Sequence, residues 1–188
     1  MAKRNRGIIF LSIGFILFLV VVIWTFYNIN EDIRAGQQAT DIINKFNEST
    51  DVKEVNNMPV ITIDGENFCG KIIIDKLDIQ LPVYNEWNYD NLKKAPCRYI
   101  GNVETQDIII AAHNYKSHFG ALNKLEIGDI IKFIDPNNKT YLFEVCELST
   151  LDGTAVSDMQ AGDWDFSIFT CTISGAQRVT VRCKQINE

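Results

Sequence analysis

FTCTISGAQR, Phe169 to Arg178, closes one apolar run (DFSIFTCTI) and opens another (RVTVRCKQI), with a Ser174-Gly175 step between them. Two β-branched and aromatic runs about so short a polar break predict an antiparallel hairpin, with glycine supplying the positive φ of a two-residue loop. That loop sets the register. Ile173 opposes Ala176, Thr172 opposes Gln177 and Cys171 opposes Arg178. Opposed residues share a face, with Cβ atoms about 4.5–5.5 Å apart, so the thiol and the guanidinium are expected as neighbours. One face collects Phe166 with Cys183, Ile168 with Val181 and Thr170 with Val179, and is read as core. Cys171 and Arg178 fall on the other face, with Phe169, Thr180, Ser167 and Arg182, a more mixed and wetter surface.

Upstream, the same texture recurs in KIIID, IQLPVY, DIIIAAH, DIIKFID and TYLFEVCEL, divided by turn residues such as Pro136-Asn137-Asn138. Only WNYDNLKK and FGALNKL look helical. Seven short strands with two brief helices predict a mostly antiparallel β-barrel or sandwich over residues 58–188, long enough for one core. Residues 28–57 are more polar, with Ile29, Ile33, Ile42, Ile43 and Phe46 at partly helical spacing, and are expected as a helical stalk and linker.

At the N-terminus a basic tail, residues 1–6 with Lys3, Arg4 and Arg6, precedes an uncharged apolar run over residues 7–27. About 20 residues at 1.5 Å each span the roughly 30 Å hydrocarbon core of a bilayer. Trp24 and Tyr27 stand where an interfacial aromatic belt belongs, and the basic flank favours a cytoplasmic N-terminus. The run exceeds the apolar region of a cleaved signal, about 7–15 residues. A single-pass anchor is therefore expected, with everything beyond it extracytoplasmic.

Of the 188 residues 46% are hydrophobic, which suits a packed domain rather than a disordered chain. The net charge of -6, without a basic run past residue 6, gives nucleic acid no electrostatic footprint. Five cysteines, Cys69, Cys97, Cys146, Cys171 and Cys183, leave at least one thiol unpaired, and no CxxC or Cys/His spacing suggests a metal site. A thiolate beside a fixed cation is a plausible nucleophile, but displacing an amine also needs a proton donor. Only His113 and His118 can supply it. His113 ends the strand DIIIAAH, where it can reach a neighbouring strand's end, whereas His118, in the loop after it, reads as more exposed.

These segments together resemble the sortases, membrane-anchored cysteine transpeptidases of Gram-positive bacteria. The resemblance covers nearly all of residues 69–188 and the anchor. AAHNYKSHFGALNKLEIGDIIKF is similar to the family's histidine segment, SIFTCTISGAQRVTVRC to its cysteine and arginine strands, and KIIIDKLDIQLPVY to its opening strand pair. Ala112 replaces a frequent glycine, and Ser167 the first threonine of TLxTC. The resemblance implies a closed β-barrel of about eight strands, with His113, Cys171 and Arg178 catalytic and Thr170 and Asn114 as substrate-binding candidates. No cofactor or metal is implied. The expected partners are proteins with an LPxTG-like sorting signal and a peptidoglycan precursor amine. The short segment STLDGTAVSDMQAGDW and the lack of an Asp-Pro-aromatic lid fit a housekeeping-like or class D-like member.

Three rivals remain open on residues alone. An L,D-transpeptidase places its cysteine closely after Ser-His-Gly, and no histidine precedes Cys171 nearby. A thiol endopeptidase would use water in place of the amine. An anchored, non-enzymatic binding domain would bury Cys171 or pair it in a disulfide.

Overall fold

The computed structural model describes residues 2–55 and 58–186. The expected boundary at residues 56–57 and the last two positions lie outside them.

With no proline before Pro59 to interrupt it, the first helix, α1 (Ala2–Glu48), continues far beyond residue 27, the expected end of the anchor. Residues 1–34 and 35–188 form two compact units. In the first, Phe10, Phe15, Phe18, Trp24 and Tyr27 are all exposed. A helix apolar on every side is suited to lipid rather than water, and it is long and apolar enough to cross a membrane. In the second unit the chain turns amphipathic. Ala35, Ala39, Ile43 and Phe46 recur at helical spacing and are all buried. The segment 28–57 is thus helical to Glu48 and then carries a short strand, β1 (Val52–Val55).

Alternating apolar residues then give β2 (Met58–Ile63), β3 (Glu66–Ile74), β4 (Ile79–Tyr84), β5 (Cys97–Ile100), β6 (Ile108–Ala112), β7 (Ile130–Ile134), β8 (Thr140–Asp152), β9 (Phe166–Cys171) and β10 (Gln177–Ile186). They pair in the order β1-β2-β3-β4-β5-β6-β9-β10-β8-β7, and β3 also pairs β7. That last pairing closes an eight-stranded barrel from β3 to β10, leaving β1 and β2 as an added edge. Its interior holds Phe133, Phe143 and Phe166, the latter two stacked with centroids 4.3 Å apart. Burial of each such ring stabilises the fold by about 2 kcal/mol.

Six of the barrel's contacts between neighbouring strands are antiparallel; β4 with β5 and β6 with β9 run parallel. In the second, Ala111 faces Phe169 and Ala112 faces Thr170, which brings the C-terminal ends of two remote strands to one rim.

The β9–β10 register is the one the hairpin spacing predicts, Cys171 opposite Arg178 through Phe166 opposite Cys183. The turn differs. Gly175 N–H donates to the Thr172 carbonyl at 2.8 Å and Thr172 N–H to the Gln177 carbonyl at 2.9 Å, so residues 173–176 form a four-residue loop, with Gly175 at φ +74°. Ile173 and Ala176 are not a ladder pair. The register survives because the longer loop has the same centre.

The mixed face is also drier than its composition suggests, since Ser167, Thr180 and Arg182 are buried. A short helix, α2 (Tyr89–Leu92), falls inside WNYDNLKK, whereas FGALNKL gives only a 3₁₀ turn, Leu122–Lys124. A further helix, α3 (Val156–Gln160), roofs the mixed face: the Arg182 guanidinium donates to the Ala161 and Asp158 carbonyls. Those bonds satisfy a cation that burial would otherwise penalise by several kcal/mol, of order.

Candidate active site

Cys171 ends β9, Arg178 stands opposite it on β10, and His113 is the first residue past β6, one step beyond the Ala112–Thr170 pair. Strands in a sheet lie about 4.8 Å apart, and the parallel register puts positions 113 and 171 on the same face. Three side chains from three adjacent strand ends thus converge on one rim.

Thr170 holds this arrangement from beneath. Its buried hydroxyl donates to the Ala112 carbonyl at 2.9 Å, tying β9 to β6 one residue before the thiol and the imidazole. Asn114 is exposed at the start of the loop after His113. His118, expected to be the more exposed histidine, is fully buried, because Tyr115 folds over it with ring centroids 5.4 Å apart. The Tyr115 ring also lies against His113, tilted by 33° with centroids 4.9 Å apart.

Arg178 is fixed by its own hairpin. Nη1 donates to the Gly175 carbonyl at 2.9 Å and the Gln177 carbonyl at 3.1 Å, which leaves Nε and Nη2 without a protein acceptor among the described residues. The Asp152 carboxyl is held low by hydrogen bonds from the Thr154 hydroxyl and amide, with the Arg178 charge adding to them.

Burial lowers the His113 pKa from its ordinary 6.5, and the Lys93 charge lowers it further. The unfolded chain therefore takes up this proton first on acidification. Stability contributed by the neutral imidazole is complete above about pH 6.5 and is lost as pH falls through the folded midpoint. The ring protons of His113 are expected to titrate below 6.5 by NMR, and His113→Gln to make the thermal midpoint less acid-sensitive. A measured midpoint at or above 6.5 contradicts this.

All five cysteines are free thiols. Desolvation pushes Cys69 and Cys97 up to about 12 and raises Cys183 as well, so these three behave as small core hydrophobes. Cys171 is half-buried and borders two cavities. One, of about 260 Å³, also takes in His113 and Arg178 and has a wall of Trp87, Tyr99, Phe169, Leu92 and Met159. The other, of about 490 Å³, lies against Asn114, Asn123, Thr172, Ser174 and the fully exposed Ile173.

The aromatic wall was missed by the sequence reading. Trp87 packs edge-on against Tyr89 at 5.0 Å and Tyr99 at 6.3 Å, and Tyr99 against Phe169 at 5.6 Å. Asn88 sets the loop, its side chain accepting the Asn91 N–H at 2.8 Å and starting α2 between the two exposed rings. A signal was present: NEWNYD places two large aromatics in a polar loop that has no core to bury them.

Comparison with known proteins bears on the same region. The family described as Sortase domain matches residues 72–186. No curated protein matches the chain. Among solved structures, the sortase D5 transpeptidase of Clostridium perfringens is similar with a TM-score of 0.62 at 19% identity, covering 80% of this chain and 99% of its own. Sortase C1 of Streptococcus agalactiae gives 0.57 at 24% identity, over 68% and 72%. Sortase A of Corynebacterium diphtheriae gives 0.58 at 17% identity, over 65% and 62%. At these identities the structures share the fold.

Proposed function

This chain belongs to the sortase family, and from that premise we propose that it is a membrane-anchored cysteine transpeptidase that cleaves an LPxTG-like sorting signal and joins the protein to a cell-wall amine. One observation carries the reading: the half-buried thiol of Cys171 stands where two cavities meet, with His113 and Arg178 lining the first of them.

An extended peptide lies along the apolar cavity, its leucine and proline against the aromatic wall. Cys171 attacks as the thiolate. A thioester forms at the carbonyl preceding glycine, the amide bond breaks, and protonated His113 gives its proton to the departing amine. The incoming amine then attacks the thioester from the side of the second cavity, losing its proton to His113 and releasing the thiolate. Burial favours the neutral imidazole of His113 in the free enzyme.

Arg178 donates through Nε and Nη2 to the oxyanion or to the peptide backbone, and such a donor contributes about 3–4 kcal/mol. Arg178→Gln is expected to lower kcat/KM by roughly 10²–10³. Arg178→Lys restores little, because an ammonium lacks the planar fork that lets one nitrogen hold the hairpin while others face substrate. Wild-type kinetics in either variant would remove Arg178 from the site.

The basic residues before the apolar run favour a cytoplasmic N-terminus, with the catalytic domain outside. Tethering keeps the enzyme at the surface where both substrates are presented, raising their effective concentration.

The test uses the full chain in detergent with a peptide library, with and without an amine nucleophile, and mass spectrometry of the enzyme. An acyl adduct on Cys171 and amine-dependent product support transpeptidation. Cleavage with no response to amine identifies an endopeptidase, and absence of any adduct favours a binding domain.

A further inference from the structure

The loop that carries His113 does not rest on the barrel alone. Residues 113–120 are folded on themselves: Phe119 N–H donates to the His113 carbonyl at 3.3 Å, and the amides of His118 and Gly120 donate to the Tyr115 carbonyl at 3.0 and 2.9 Å. Three rings run through the loop, His113 on Tyr115 and Tyr115 on His118, with His118 fully buried. Displacing one part of so short a closed loop displaces the rest.

The outer support of this loop is α1. A Cβ placed on Gly36 would lie 2.9 Å from the Ser117 Cβ and 3.5 Å from its Oγ. Real Cβ atoms do not approach so closely, so the helix and the loop touch at a spacing only glycine permits. Flanking residues agree. Ala35 is buried, and Ala39, one turn on from Ala35, belongs to the same buried cluster as Phe119, within the loop, and Leu122, just after it. Glycine inside a helix is unfavourable relative to alanine, so its use at position 36 needs a reason in packing, and Ser117 supplies one.

We infer that the Ala35–Gly36–Ala39 face of α1 positions the catalytic histidine, by setting how deeply the 113–120 loop sits and thereby where the His113 ring meets Cys171. Gly36 is a positioning residue. It touches neither substrate nor thiol, and acts through Ser117 and the three packed rings. The helix that begins as an anchor thus ends as part of the active-site framework. The inference rests on His113 being catalytic.

The experiment is a steric cycle in the full-length protein. Gly36→Ala adds one methyl group, improves helix propensity, and drives that methyl into Ser117. Expected is an approximately tenfold fall in kcat with the peptide KM little changed, as a sub-ångström misplacement of a reacting group produces, together with a displaced acidic limb in the pH dependence of Cys171 alkylation by iodoacetamide. Ser117→Gly removes the opposing Cβ. Alone it should stay within about twofold of wild type, and combined with Gly36→Ala it should restore both the rate and the alkylation profile.

Full activity in Gly36→Ala overturns the inference. So does a loss that Ser117→Gly fails to relieve, which would assign it to the helix at large, or an equal loss in Ser117→Gly alone, which would assign it to the loop's own chemistry. Helix content and melting temperature, measured in parallel, separate a displaced histidine from a damaged fold. Should His113→Ala itself keep activity, the functional reading fails first. An inactive His113→Ala beside an unaffected Gly36→Ala sinks this inference alone.

Discussion

Cys171→Ala is expected to abolish acyl-enzyme formation and to lower peptide cleavage by at least about 10⁴-fold, the scale on which losing a covalent nucleophile acts. No other thiol can take over. Cys69, Cys97 and Cys183 are buried and their thiolates are disfavoured. Cys146 is half-exposed on β8, donates to the Glu144 carbonyl at 3.4 Å, and lines neither cavity beside the rim. Removing one sulfur atom from a half-buried strand end costs within about 1 kcal/mol of stability, so the variant should fold, melt near wild type and still bind the sorting peptide. Tryptophan emission reports that binding directly, since Trp87 lies on the cavity wall. An acyl adduct that persists in Cys171→Ala would falsify the assignment.

His113→Ala carries the second large effect, a loss of about 10²–10⁴ in kcat/KM. Two steps fail in this variant: the leaving amine has no proton donor and the incoming amine no base. Cys171 remains present and is still expected to react with iodoacetamide. His118→Ala is the contrast. His118 is buried behind Tyr115 rather than at the rim, so its loss should show mainly in melting temperature, with chemistry affected only as far as the loop shifts. If the two histidine variants exchange these behaviours, the proton carrier is His118 rather than the histidine at the rim.

Both predictions depend on a pairing that local sequence conveys and one that it does not. The β9–β10 hairpin is a short-range matter: four residues separate Thr172 from Gln177, alternation fixes which residues share a face, and Cys171 had to meet Arg178 once the turn was centred on Ser174-Gly175. The four-residue loop changed the turn type and left that outcome intact. The strand-end position of His113 and the family resemblance both pointed to it, yet its place beside Cys171 comes from β6 pairing in parallel with β9 across more than fifty residues of intervening chain. No periodicity within either strand encodes that partner. Parallel pairs are chosen by how the whole sheet buries its faces, through a crossover that here contains β7, β8 and α3.

The sequence by itself determined seven of the ten strands (all but β1, β2 and β5), the apolar helix, the register of the nucleophile's hairpin and the residues able to do chemistry, because each follows from contacts within a few residues along the chain. Tertiary structure decided the rest. It closed the barrel through β3 and β7, buried Arg182 under α3, brought Trp87, Tyr99 and Phe169 into one wall, and seated Gly36 against Ser117. Each of these joins segments far apart in sequence, and which segments meet is set by the packing that buries their apolar faces together.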